Sequence, residues 1–216
     1  MVVSVRRGCS LLTLTVLVVL MSTSNGRTEP MSEHIVLLQK GKTSERREAA
    51  EALARMGDQR AIEPLRQALR DPDQLVRHTA EQALWSIWHR SGKSEVDRRL
   101  HEGIAAMQQG TLPDAVSIFT DVIDMAPDFA EGYNKRATTY YLMQEYEKSI
   151  ADCEKTLALN PIHFGALSGT GLNYLGLRNL AKALEYFERA VAVNPNMPQI
   201  QDYIEAIKKY LRDQTL

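Results

Sequence analysis

Cysteine is almost missing from this chain, which has only Cys9 and Cys153. Cys9 lies ahead of an apolar run near the N-terminus. A chain cut behind that run therefore keeps one thiol and can form no intramolecular disulfide, so it must hold together by packing alone. Aromatic residues are scarce as well, at 6% of 216 residues, and 26 lysines and arginines stand against 27 acids. That balance offers no basic surface for nucleic acid or for an anionic membrane. Paired cysteines, a His-Glu-x-x-His pair, a P-loop and a nucleophile elbow are all missing, which removes the familiar sequence signs of metal, nucleotide and acyl-transfer sites. Gly169-Thr170-Gly171-Leu172-Asn173-Tyr174-Leu175-Gly176 has the glycines of a nucleotide loop, but the third is displaced and no strand precedes it. His34, His78, His89, His101 and His163 are scattered. His78 and His89 would stand about 16 Å apart along a helix, too far for one metal. The histidines read as exposed or capping residues. No catalytic residue, metal or cofactor is expected, and the chain reads as a non-enzyme.

What is present begins with an export signal. Arg6 and Arg7 precede the apolar stretch Leu11–Met21, and the small polar residues Ser22-Thr23-Ser24-Asn25-Gly26 follow it. This charge–apolar–small order is that of a secretory signal, and the stretch is short for a bilayer span. Gly8-Cys9-Ser10 after the arginine pair argues against twin-arginine export, and the placing of Cys9 argues against lipoprotein anchoring. Residues 1–26 are therefore expected to be a signal peptide, which sends the protein to the periplasm or outside the cell. The alternative is an uncleaved anchor at residues 11–21, and a membrane is a partner only in that case. Loss of Arg6 and Arg7 takes the formal charge from −1 to −3.

Proline supplies the strongest pattern. Pro127, Pro161 and Pro195 are spaced 34 residues apart, and each follows an apolar helical run that it would end. Other positions keep the same period. Gly103, Ala137 and Gly171 share a small site, as do Ala115, Ser149 and Ala183, and Val122, Thr156 and Ala190. Phe119, Cys153 and Phe187 share a larger one, so Cys153 reads as a buried apolar residue rather than a reactive thiol, and Tyr140 and Tyr174 share another. Small residues at fixed points let two helices approach while a large one fills the space beside them. The pattern, over residues 96–197, resembles the tetratricopeptide repeat family. The first unit departs most, with Arg99 where Tyr133 and Leu167 stand later and Ala106 in place of the tyrosine. Its first helix is expected to face something other than another such repeat. After Pro198, Ile200, Tyr203, Ile204, Ile207 and Leu211 at helical spacing read as an amphipathic capping helix over residues 198–216.

Upstream lies a second, 31-residue period. Arg46-Arg47-Glu48-Ala49-Ala50-Glu51-Ala52-Leu53 aligns with Arg77-His78-Thr79-Ala80-Glu81-Gln82-Ala83-Leu84, with Asp71-Pro72-Asp73 as the turn between. This resembles short HEAT-like repeats over residues 27–94, ahead of the three 34-residue units at 95–197. Two repeats alone leave apolar faces uncovered. The simplest expectation is that they stack on the first tetratricopeptide unit, with Trp85, Ile87 and Trp88 packed at the junction. The fold expected is all-α, a right-handed solenoid of antiparallel helix pairs.

The resemblance implies that the first helix of each unit lines a concave groove for a partner polypeptide. By position, the first unit offers Leu100, Ile104, Met107 and Gln108; the second offers Glu131, Asn134, Lys135, Thr138 and Tyr141. The third offers Gly165, Ser168, Gly169, Leu172, Leu175 and Gly176. The basic cluster with which some members grip a chaperone C-terminus is missing: Leu100, Ile104, Gly165 and Gly169 hold those positions. The glycines at 165 and 169 either let a partner backbone approach closely or mark the helix start and relieve crowding. The reading is a monomeric, exported, non-catalytic scaffold or adaptor that holds a helix or apolar peptide segment of a protein partner. The alternative is an accessory subunit, or a cofactor- or metal-carrying enzyme component with a site between the two repeat regions.

Overall fold

The computed structural model describes residues 30–214. The expected signal segment, its cleavage and the alternative anchor at residues 11–21 lie outside the described residues. All regular structure within them is helical. The first four helices are α1 (Met31–Lys40), α2 (Thr43–Met56), α3 (Ile62–Ala68) and α4 (Gln74–Trp88). Gly57 ends α2 at φ +68°, a left-handed conformation that costs glycine little. Asp73 caps α4 by accepting from the amides of Leu75 and Val76. Buried Leu38, Leu53, Leu65, Leu69, Val76 and Leu84 form the core of this four-helix module. The two arginines related by the 31-residue period both grip the turn between the repeats. Arg46 makes a bidentate pair with Asp71 at 2.7 and 2.8 Å, while Arg77 donates to the carbonyls of Asp71 and Pro72.

Three antiparallel pairs follow: α5 (Ser94–Gln108) with α6 (Leu112–Met125), α7 (Ala130–Leu142) with α8 (Tyr146–Leu159), and α9 (Phe164–Gly176) with α10 (Leu180–Val193). Helices α6, α8 and α10 each stop two residues before a periodic proline, and α11 (Pro198–Asp213) closes the array. Inside each pair the small site faces the large one. A Cβ on Gly103 would lie 2.5 Å from the Phe119 ring, and one on Gly171 would lie 2.5 Å from that of Phe187. The middle pair has Ala137 and Cys153 at the corresponding positions, where the smaller cysteine leaves room for a methyl group. Helix α11 buries Ile200, Ile204 and Ile207 and stacks Tyr203 on Phe187 at a 5.4 Å ring separation.

The expectation that the HEAT-like pair stacks on the first tetratricopeptide unit is overturned. The core shared by α5 and α6 contains no residue of α4. The chain reverses through residues 89–93, with Gly92 at φ +79°, and the module packs on the second and third units. Phe164 is part of the module's core, and Ile162, Val193 and Met197 pack against it. Arg70 donates to the carbonyls of Ala192 and Val193, Arg77 to Asn196 Oδ1 at 2.8 Å, and Asn196 to the carbonyl of Leu69 at 2.7 Å. The reason lies in α5. Arg98 pairs with Glu95 and Glu102, and Arg99 with Glu102 and Asp121, so this helix turns charge outward, while its apolar residues Val96 and Leu100 are already buried in the core it shares with α6.

Candidate functional site

Helices α7 and α9 run side by side with α8 behind them, and between them lies a cavity of about 280 Å³. From α7 come Asn134, Thr138, Tyr141 and Leu142; from α8, Ser149 and Cys153; from α9, Gly165, Ser168, Gly169, Leu172 and Asn173. The opening exists because α9 is poor in side chains here. A Cβ on Gly169 would meet only Cys153 Sγ, at 3.7 Å. Burial raises the Cys153 thiol to about 11, so it stays protonated at neutral pH. No lining side chain is charged.

Seven of the fifteen expected groove residues line this cavity: Asn134, Thr138, Tyr141, Gly165, Ser168, Gly169 and Leu172. The other eight, Leu100, Ile104, Met107, Gln108, Glu131, Lys135, Leu175 and Gly176, do not. Leu100 is wholly buried between α5 and α6, and Ile104 and Met107 pack against that same core, because the first unit keeps its apolar residues for its own hairpin. Leu175 packs in the core formed with α11. Lys135 is held by Glu131 at 3.1 Å and lies over the Trp85 ring, 5.7 Å from its centre.

Trp85 and Trp88 do sit at a junction, but with the third unit rather than the first. The end of Trp85 occupies the place of a Gly165 side chain, whose Cβ would be 2.5 Å away. Trp88 stacks on His163, 4.6 Å between ring centres, and both tryptophans meet Phe164. The module therefore covers one end of the concave face. Beneath it lies Glu131, read from the sequence as groove-facing but 1% exposed. His163 Nδ1 accepts the amide of Ala166 and so caps α9, leaving the Nε2 proton to bond Glu131 at 3.0 Å. His89 Nε2 lies 3.4 Å from the same carboxylate. Burial pushes the Glu131 pKa up, but the His163 hydrogen bond and the neighbouring positive charge outweigh it and hold the group at about 2.

Sequence reasoning missed Leu142, Ser149, Cys153 and Asn173 as wall residues. Asn173, a fully buried amide in an otherwise apolar helix stretch, was the signal available.

The HEAT-repeat family matches residues 31–129, so α5 and α6 fall within that match, and tetratricopeptide repeats match 130–163 and 164–197. A TPR repeat-containing protein of Rhizobium etli is 30% identical over 142 residues, covering 66% of this chain and 69% of that protein. The chain belongs to the tetratricopeptide repeat family. It is also 29% identical over 113 residues to the Hsp70-Hsp90 organizing protein of Triticum aestivum, covering 52% of this chain and 19% of that protein. Among solved structures, the Sgt2 TPR domain of Aspergillus fumigatus superposes with a TM-score of 0.54 at 23% identity, over 57% of this chain and 83% of that one. The first TPR of Spaghetti (RPAP3) bound to the HSP90 peptide SRMEEVD gives 0.53 at 23% identity, over 55% and 94%. These likenesses are of fold. In this tetratricopeptide repeat protein, Trp85 of the chain's own α4 packs against Gly165, His163 and Phe164 of the third unit.

Proposed function

We propose that this tetratricopeptide repeat protein is a non-catalytic scaffold that holds an uncharged, apolar segment of a partner protein in the cavity between α7 and α9. The observation that carries the reading is that cavity: about 280 Å³, walled by α7, α8 and α9 and without a charged wall residue. A structural neighbour holds the acidic HSP90 peptide SRMEEVD. Lys135, the nearby cation here, is already committed to Glu131, so an acidic tail would find no free countercharge. The order of charges and apolar residues before residue 27 supports work in an exported compartment, periplasmic or extracellular.

The test is a photoreactive amino acid placed in turn at Thr138, Leu172 and the outward-facing Glu147 of the full chain expressed in its host. Adducts to a partner from the first two positions and none from the third are expected. Adducts from Glu147 alone would place binding on the convex face and end this reading. Fractionation of the same cells reports the compartment, and recovery in the cytosol alone would refute export.

A further inference from the structure

The two histidines that meet Glu131 hold their protons differently, and the second ring nitrogen of each shows why. A carbonyl oxygen only accepts and a backbone N–H only donates, so each fixes the state of the nitrogen facing it. His163 Nδ1 accepts the Ala166 amide, and its one proton sits on Nε2, facing Glu131 Oε2 at 3.0 Å. A neutral ring satisfies both neighbours. His89 is the opposite case. Its Nδ1 lies 2.6 Å from the Trp85 carbonyl and therefore carries a proton. A neutral His89 would then turn the bare lone pair of Nε2 toward Glu131 Oε1, 3.4 Å away. Two facing acceptors repel. A proton on Nε2 converts that contact into a charged pair, and the ring then donates on both sides.

The other groups around His89 can be weighed in turn. On its own helix, His89 is the C-cap of α4, where unpaired carbonyls favour a cation, and the Trp85 ring lies 5.8 Å from its own. Arg90 turns its guanidinium to the Arg55 carbonyl and the Ser86 hydroxyl. Lys135 on α7 shares Glu131 Oε1 at 3.1 Å and opposes a second cation. His163, at the start of α9, contributes a neutral ring. Asp97 of α5 is taken up by the amide and hydroxyl of Ser91, and Asp128 lines a cleft with Arg90 and Trp88 that His89 does not line. The His89 side chain is 28% exposed, so water can deliver and remove its proton. We propose that a proton on His89 latches the end of α4 to α7, so that this part of the docking is present when His89 is charged and lost when it is neutral. Arg77 and Asn196 hold the module elsewhere, so the loss loosens the contact without detaching the module. It acts beside Trp85 and thus on the cover over Gly165. The latch goes beyond the scaffold reading and does not depend on what the cavity holds.

Two measurements on the purified full chain test the latch. NMR of the protein labelled with nitrogen-15 histidine reports which ring nitrogens carry protons, with His89 assigned by its loss in His89→Gln. At about pH 6, both His89 nitrogens are expected to be protonated, and at about pH 8.5 Nδ1 alone. Urea denaturation then compares the parent with His89→Gln across the same range. Stability that depends on a bound proton is present at the lower pH and lost as pH rises. His89→Gln is therefore expected to raise the unfolding equilibrium constant roughly three- to ten-fold at about pH 6, and the gap should shrink toward about pH 8.5. In a Glu131→Gln background the gap is expected not to change with pH. A His89 that carries its single proton on Nε2 at about pH 6 would overturn the proposal, because the ring would then need no second proton to meet Glu131. So would a gap that stays constant with pH in the parent background. A pH-dependent gap that survives Glu131→Gln would also overturn it, since His89 would then answer to another group. Where Glu131→Gln does not fold, the NMR result and the parent comparison decide between them.

Discussion

Gly165 and Gly169 lie one turn apart on α9 and have opposite reasons for being glycine. A Cβ at 165 would collide with the Trp85 ring, while one at 169 would rest in ordinary contact with Cys153 Sγ. Gly165→Ala is therefore expected to destabilise the protein by about 1–3 kcal/mol through overpacking. Gly169→Ala should stabilise it by up to about 1 kcal/mol through helix propensity. Urea denaturation of the two variants measures both, and equal effects would contradict the assignment of Trp85 to Gly165.

Glu131 sets a pH dependence. Its folded pKa, about 2, lies below the ordinary glutamate value of about 4.3. The stability it contributes is thus fully present above that ordinary value and is lost as pH falls through the folded one. The groups facing it are Lys135 on its own helix, His163 at the start of α9 and His89 at the end of α4. Glu131→Gln should cost most near pH 6, and the gap from the parent protein should close progressively between about pH 5 and pH 2. A gap that stays constant over that range in denaturation curves would mean the carboxylate is not ionised in the fold.

At the level of elements, α4 is what joins the two repeat types. Trp88 lies between the module core and His163 and Phe164, so its loss empties space on both sides of the junction. Trp88→Ala is expected to cost about 3 kcal/mol or more, as large-to-small changes at buried aromatics do. It is also expected to split one thermal transition into two. A single transition at a lower temperature would show that the module and the repeats remain coupled through other contacts. Helix α11 has a simpler part to play. Its three isoleucines cover α10, and Lys208 pairs with Glu188 at 2.8 Å on its outer side. An array of stacked pairs needs such an end, because its last helix would otherwise present an apolar face to water.

For the molecule as a whole, the decisive feature is that the chain does not run on in one direction. Arg77 and Asn196 are 119 residues apart and hydrogen-bonded at 2.8 Å. A double-mutant cycle on Arg77→Ala and Asn196→Ala should return a coupling of about 0.5–1.5 kcal/mol. Strict additivity would mean the module is not docked on the third unit. The docking also defines the site. Trp85 closes the end of the concave face where Glu131 and Gly165 would otherwise be open, and the cavity begins beside it.

Much of this was legible in the chain. Three prolines at one interval marked the ends of α6, α8 and α10, because proline stops a helix for a local reason that needs no tertiary information. The small and large sites at the same interval named the family, and seven wall residues followed from position within the repeat. The 31-residue period was equally readable, since Arg46 and Arg77 occupy matching places in two hairpins. The partner of Trp85 was not readable. Two modules joined by residues 89–93 can meet in more than one way, and the choice depends on which surfaces have apolar area to bury. The charges of Arg98 and Arg99 closed the first unit to stacking, while Ile162, Phe164, Val193 and Met197 offered a surface elsewhere. Periodicity records what each helix does to its neighbours in sequence. Which distant surface it covers is decided by area and charge summed over residues far apart in the chain, and only the folded structure brings those together.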